Sequence, residues 1–568
     1  MSSASYRRLY SIAAAVLLAM VAGWLLHDLW LGWRTTLHFD DAYMFARYAM
    51  NMRHGLGISW NLDGAHTYGQ TSLLWCGVVM VLSYLPLDVW KMLSLGSWLS
   101  GIGALIAMAW AVAANAKSDL LRSTWRVLPW VALPLTATAV FTGNQGTGME
   151  TMLAALLAAV FVGMALGWSR GKVRPEWVAL VGFALFMTRP DAAIVIVMLP
   201  ALLFVLMPWS GERVGKGSVA RLLGLFVAGV VVELVVCKLY FHTALPLSFY
   251  MKSRHAYEGY RSVWHPELLM LAFFAACELY LVAMILLGRR EDWRLIACSV
   301  TPALVTFAYL GTVTQIMGFE ARYYVPYFAF FVVPALLVVD RWMAGGESSV
   351  ASDDVQWPGK TLLVRGMVTA VVMVGFLALS SEGVLAKIRH VEARTHVEYD
   401  PARVEMAVKV PLPTLPWSVV MTDLTDLLVA PLPKGATVAA TEVGYLGDRA
   451  AQVNMIDLAG LNDNEIALHG FDVHALLLRK PDVIWMPNTD YTYQNAWMMS
   501  DPELLQEYDV YAGAANYGLA IRKDSPYRVE IDQQMQVFWD AAYPGYRMSD
   551  YLVRSAGWTR AKHRVVEQ

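Results

Sequence analysis

The sequence predicts a polytopic α-helical membrane protein of about eleven transmembrane helices, with a C-terminal extracytoplasmic α/β domain. Three observations predict it. Of 568 residues, 57% are hydrophobic and only 16% charged, against roughly a quarter charged in ordinary soluble proteins. The charge is unevenly placed: residues 1–381 hold 48 of the 90 Asp, Glu, Lys and Arg and residues 382–568 the other 42, about 13% against about 22% by length. Long apolar runs recur through the first part, suited to helices crossing about 30 Å of hydrocarbon. Residues 1–381 therefore read as a membrane domain and 382–568 as a water-facing one. A net charge of −2 offers no basic field to gather DNA or RNA, so nucleic acid is excluded as a partner. Cys76, Cys237, Cys277 and Cys298 all lie in apolar stretches and read as small core residues, neither disulfide framework nor metal ligands.

At the N-terminus Arg7-Arg8 precedes an apolar run over 9–31. A secretory h-region is about 7–15 residues, so this run reads as a retained first span. Further spans are predicted at 92–114, 127–142, 149–168, 177–188, 191–208, 220–241, 267–287, 294–313, 322–339 and 361–381, with 177–188 short for an upright helix. One set of loops repeats a basic pattern: Lys117, Arg122 and Arg126; Arg170, Lys172 and Arg174; Arg213, Lys216 and Arg221; Arg289, Arg290 and Arg294. By the positive-inside rule these are cytoplasmic, and so is the N-terminus. Counting 71–86 as a span would invert the basic loop at 115–126, so that run is read as a helix along the membrane surface within a first extracytoplasmic loop of about 32–91.

The opposite loops hold five polar clusters: His38 to Asp41, Gly143 to Thr151, Thr188 to Asp191, Pro246 to Arg254 and Gly318 to Tyr324. Charged groups at a membrane surface are costly unless paired or used, which makes these clusters a site hypothesis. Asp40 and Asp41 open an interfacial helix. One of them could serve as a helix cap; a pair also suits proton abstraction from a hydroxyl or a divalent cation. Arg189, Lys252, Arg254 and Arg322 are cations at outer helix ends, suited to a phosphate, although any single one could be snorkelling. Glu150 and Asp191 could pair with them or bind sugar hydroxyls. Glu233 and Glu278 lie inside predicted helices and read as interhelical hydrogen-bond partners; they also raise a transporter as the rival class, against which stands the lack of internal repeats.

In order, these motifs resemble the GT-C superfamily of membrane glycosyltransferases, most closely bacterial arabinofuranosyltransferases of the mycobacterial terminal β-(1→2) type. The likeness rests on Asp40-Asp41, Asn51 to Gly57, Trp60-Asn61, Gly69-Gln70-Thr71-Ser72, Gly148-Met149-Glu150-Thr151, Arg189-Pro190-Asp191, Pro246 to Lys252, Arg322-Tyr323-Tyr324, and in the tail Glu442 to Gly447 and Asn454 to Asp463. The resemblance implies transfer of a sugar, arabinofuranose first, from a polyprenyl-phosphate donor to a glycan or glycoprotein acceptor, on the periplasmic side of a bacterial cytoplasmic membrane. It implies Asp40 as the acid activating the acceptor hydroxyl, with Asp41 as the alternate or a ligand to a divalent cation. Arg189, Lys252, Arg254 and Arg322 would hold the lipid phosphate; Glu150, Asp191, Tyr68 and Glu320 would contact sugar or support the site. The chain departs from the pattern at Gly146-Thr147 ahead of Gly148-Met149-Glu150, at Asp191 where relatives often carry Glu, and at Glu320 where mycobacterial enzymes carry His. The rival reading is a transporter or flippase of lipid-linked glycans.

In the tail, strand-like runs at 436–441, 453–457, 482–486 and 518–522 alternate with a helical pattern over 464–478, which predicts a small α/β domain. The segment from Trp485 to Trp497, with Tyr491 and Tyr493, could stack on sugar rings or simply pack a core. The run from Pro411 to Pro416 reads as a spacer.

Overall fold

A chain that must satisfy its own backbone away from water does so as helix, and the N-terminal part of the computed structural model is mostly helical. The structure describes residues 3–34, 39–207, 214–253, 266–313, 318–348, 411–488, 491, 494, 495, 497, 498 and 501–553. Among the described residues six helices are long and apolar enough to cross a membrane: Tyr10–Gly32, Val89–Ala113, Thr151–Ser169, Lys216–Phe241, Asp292–Leu310 and Val325–Ala344; counting each of two bent pairs as one span brings the number to eight. Their outer faces suit lipid. On Lys216–Phe241, Val232 is 61% and Leu239 74% exposed, part of an apolar face larger than water tolerates on a monomer.

Against eleven expected spans, the described residues contain six to eight. The expected span 361–381 and the domain boundary at 381 lie outside the described residues. The expected spans 177–188 and 191–208 correspond to Pro175–Thr188 and Ala193–Leu206, each of 14 residues. Fourteen residues of helix reach about 21 Å, short of the hydrocarbon thickness. The run at 71–86 forms the ten-residue helix Leu73–Leu82, started by Ser72, whose Oγ accepts from the Trp75 amide at 3.2 Å. Two further expected spans are broken. Thr124–Thr136 meets Ala139–Gln145 at 94°, and Leu268–Ala276 meets Glu278–Leu287 at 64°. Pro134, near the end of Thr124–Thr136, lacks the N–H that would bond the Trp130 carbonyl. The Tyr280 hydroxyl, from the second broken pair, donates to that carbonyl at 2.9 Å.

The C-terminal domain is built on strands β1 (Thr437–Ala440), β2 (Asn454–Asp457), β3 (Val483–Trp485), β4 (Tyr508–Tyr511) and β5 (Leu519–Arg522), in the order β2-β1-β3-β5-β4. β2, β1 and β3 run parallel; β5 pairs antiparallel with both β3 and β4. Four strands match the sequence expectation and β4 was not anticipated. The single helix expected over 464–478 is two, Asn464–His469 and Val473–Leu478, separated by Gly470 at φ 95°. Trp485 is buried, stacked on Trp417 at 5.7 Å, so it serves the core and not a sugar. Tyr493 lies outside the described residues.

The two parts share one core. Tyr43, Ala46 and Trp60 from the membrane domain cluster with Val443, Leu446 and Met455 from the sheet domain. The polar contacts of this seam come from the helix Asp40–Arg53 and the loop after it. Asp40 accepts from the amides of Gly444 and Tyr445, both at 2.7 Å. Buried Arg47 donates to the carbonyls of Trp60, Gly447 and Val453. Asn61 donates to the Met455 carbonyl at 3.0 Å and accepts from its amide at 2.8 Å, acting as a short stand-in for a further strand beside edge strand β2. Gly444 has no room for a side chain, because a Cβ would lie 1.9 Å from the Asp40 carbonyl oxygen. Gly444→Ala is expected to cost about 1–3 kcal/mol or more by overpacking, read as a lower thermal midpoint together with faster proteolytic release of the sheet domain.

Candidate functional site

A cavity of about 530 Å³ opens where the membrane helices meet the sheet domain. Its walls draw on all five sequence clusters or their neighbours: Asp41, Glu150, Arg189, Asp191, Lys252 and Arg322 all line it, with Gln70, Leu461, Asn462 and Tyr491.

Asp40 and Asp41 occupy the first turn of Asp40–Arg53, where a carboxylate complements the helix dipole. Consecutive helical side chains diverge by about 100°, and the two separate accordingly. Asp40 turns to the sheet domain, where burial pushes its pKa up to about 6 against the opposing pull of the Tyr445 and Gly444 amides. It does not line the cavity. Asp41 does, with Arg322 Nη2 3.7 Å from its Oδ2. The expectation that placed Asp40 first thus meets a geometry in which Asp41 faces the open space.

Arg189 ends the helix Pro175–Thr188 because Pro190 forces it extended, at φ −145° and ψ 99°. Asp191 grips it with two bonds, 2.9 Å at Nε and 3.2 Å at Nη2, and Glu150 Oε1 lies 3.6 Å from Nη1. Tyr327 donates to Asp191 at 2.9 Å, fixing the grip. Arg322 is held more loosely: its Nη2 donates to the Tyr323 hydroxyl at 3.4 Å, while Nε and Nη1 are buried with no hydrogen-bond partner among the described residues. Both guanidiniums lie over the ring of Tyr323, Arg189 at 5.0 Å and Arg322 at 5.2 Å from its centroid, a favourable cation–π geometry. Gly148, at φ 71°, turns the chain into Glu150, and its carbonyl accepts from Trp75 Nε1 at 3.1 Å.

Two further predicted site residues lie outside the cavity lining. Tyr68 is buried outside the cavity lining, stacked on Phe241 at 4.7 Å. Glu320 also lies outside the lining; its carbonyl accepts from Asn144 Nδ2 at 2.8 Å and its side chain covers Gly143. Arg254 lies outside the described residues. Among the described residues no group of three or more His, Cys, Asp or Glu side chains is arranged to hold a metal ion. The aspartate pair does not fit one either, since both Asp40 oxygens take amide bonds and Asp41 faces a guanidinium.

Sequence reasoning gave Gln70 and Asn462 no individual role. Their only signal was membership of the motifs Gly69 to Ser72 and Asn454 to Asp463. Asn462 closes the cavity from the sheet domain: its Oδ1 accepts from Tyr48 at 2.9 Å, and its amide and Nδ2 donate to Asp457 Oδ2 at 2.9 and 2.8 Å.

The family model of a domain of unknown function, DUF8728, matches residues 418–538, which is most of the sheet domain. No curated protein and no solved structure matches the chain.

Burial pushes the Asp457 carboxyl up to about 7, against the bonds from Asn462, and Asp40 moves in the same direction. A carboxyl that is more basic folded than unfolded favours the folded state when protonated, so its contribution is full below about pH 4 and is lost as pH rises through about 7. The thermal midpoint is therefore expected to climb by several degrees between pH 8 and pH 5. Asp457→Asn is expected to flatten that slope and lower the midpoint throughout, because its amide NH2 would face N–H donors.

Proposed function

We propose that the protein is an integral-membrane glycosyltransferase of GT-C type that moves a sugar from a polyprenyl-phosphate donor to a glycan or glycoprotein acceptor. The observation that carries this reading is one cavity in which Asp41 stands beside Arg322, whose buried Nε and Nη1 have no partner among the described residues. A buried guanidinium with unused donors is a ready site for a bidentate phosphate. The resemblance of the motifs adds arabinofuranose as the first sugar to try, and the periplasmic face of a bacterial cytoplasmic membrane as the site of transfer.

On this reading Asp41 accepts the proton of an acceptor hydroxyl as its oxygen attacks the anomeric carbon of the donor. The bond from that carbon to the phosphate oxygen breaks, and polyprenyl phosphate leaves with the electron pair. Arg322 and Lys252 receive the developing negative charge, with Arg189 contributing through its fixed position. Asp191 and Glu150 hold Arg189 in that position. Asp40 carries no chemistry; it aims the helix that bears Asp41.

The test offers radiolabelled polyprenyl-phosphate arabinofuranose, then other sugars, to a panel of glycans with purified protein in nanodiscs. Asp41→Asn is expected to lower the transfer rate by about 10²–10⁴ while leaving the thermal midpoint within a few degrees. Arg322→Met is expected to weaken donor binding as well as turnover. Full transfer by Asp41→Asn would sink the assignment; donor bound and moved across proteoliposomes without transfer would make the protein a carrier of lipid-linked glycans.

A further inference from the structure

The cavity has neutral lining residues as well as charged ones, and Gln70 is one of them. Gln70 is 4% exposed, it lines the cavity, and both Oε1 and Nε2 are buried without a hydrogen-bond partner among the described residues. Buried amides are almost always satisfied, and one left unmet is destabilising. Its neighbours leave it little freedom to find a partner. At Gly69 a Cβ would lie 2.2 Å from Asn462 Oδ1, 2.4 Å from the Tyr48 hydroxyl and 2.7 Å from the Leu461 carbonyl, so the backbone there is clasped between the sheet domain and the helix Asp40–Arg53. On one side the Tyr68 carbonyl accepts from the Leu247 amide at 2.8 Å; on the other, Ser72 is committed to capping Leu73–Leu82.

We propose that Gln70 is the hydroxyl-reading group of a carbohydrate subsite completed only when the sheet domain is docked. A carboxamide presents one acceptor and two donors without charge, which matches a pair of sugar hydroxyls and complements the phosphate chemistry of Arg322. Among the described residues the other buried amide with both atoms unpartnered, Gln145, does not line the cavity. The proposal rests on the glycosyltransferase reading above. The hydroxyls belong to the donor sugar or to the acceptor, and the experiment separates the two.

Wild type, Gln70→Met and Arg322→Met in full-length form, in nanodiscs, would be titrated with polyprenyl-phosphate arabinofuranose, unglycosylated polyprenyl phosphate and a free arabinan oligosaccharide. Gln70→Met is expected to bind one hydroxyl-bearing ligand at least about tenfold more weakly, to bind unglycosylated polyprenyl phosphate as wild type does, and to melt at or above the wild-type temperature. Loss confined to the sugar-bearing lipid assigns the donor sugar; loss confined to the oligosaccharide assigns the acceptor. Unchanged affinity for both, an equal loss for the unglycosylated lipid, or a lower melting temperature overturns the subsite. Wild type that binds none of the three ligands overturns the glycosyltransferase reading itself, and Arg322→Met losing both lipids alike would leave that reading standing even where the Gln70 proposal fails.

Discussion

A carboxylate that accepts two amide hydrogen bonds across a domain seam decides where its neighbour points. Asp40 takes the Gly444 and Tyr445 amides, and the helical turn then carries Asp41 round to the cavity. Seven residues on, Arg47 repeats the device with opposite charge, solvated by carbonyls of both domains. Burial lowers the Arg47 pKa only to about 10, so it remains a cation at neutral pH. Bonds to a charged donor contribute about 1.5–3 kcal/mol each, and their removal would strand a buried charge. The seam therefore locks the rotation of Asp40–Arg53 about its own axis, the one degree of freedom on which the position of Asp41 depends.

Charge inside the cavity is compensated unequally, and the inequality is informative. Arg189 is saturated by Asp191 and Glu150, so it serves best as a fixed positive edge. Among the described residues Arg322 is ion-paired with one carboxylate, Asp41, at a distance beyond good hydrogen bonding. A dianionic or monoanionic group entering between Arg322 and Lys252 would gain contacts without breaking the Arg189 grip.

Composition and charge asymmetry were enough to separate a membrane part from a mixed α/β part, and four of five strands stood out as short apolar runs between turn residues. The polar clusters were legible because charge is rare in apolar sequence, and most of their charged residues reach one cavity. What could not be read is direction. The two aspartates differ only by a helical step, and nothing local marks which faces the seam 404 residues away in the chain. β4 hid because Tyr508-Asp509-Val510-Tyr511 is as polar as the loops beside it. The break in the first bent span hid because Pro134 is tolerated in a membrane helix once another group, here the Tyr280 hydroxyl, takes the freed carbonyl. Gln70 was invisible for a different reason: a neutral amide in a motif carries no pattern, and only burial without a partner distinguishes it.

The cavity belongs to neither domain alone. Its charged wall hangs from membrane helices, and two of them, Pro175–Thr188 and Ala193–Leu206, meet at Arg189-Pro190-Asp191 after only about 21 Å of helix each. Short helices leave a recess at that end of the bundle, where a longer pair would have filled the space. The sheet domain roofs the recess with Leu461, Asn462 and Tyr491, and Asn462 is itself anchored by Asp457 below it and Tyr48 across the seam. A recess without its roof would expose Arg322 and Gln70 to water, where their unused donors would be satisfied and lose their discrimination. Docking is thus the step that converts a polar hollow in a helical bundle into a desolvated site, and the amide bonds to Asp40 hold it docked.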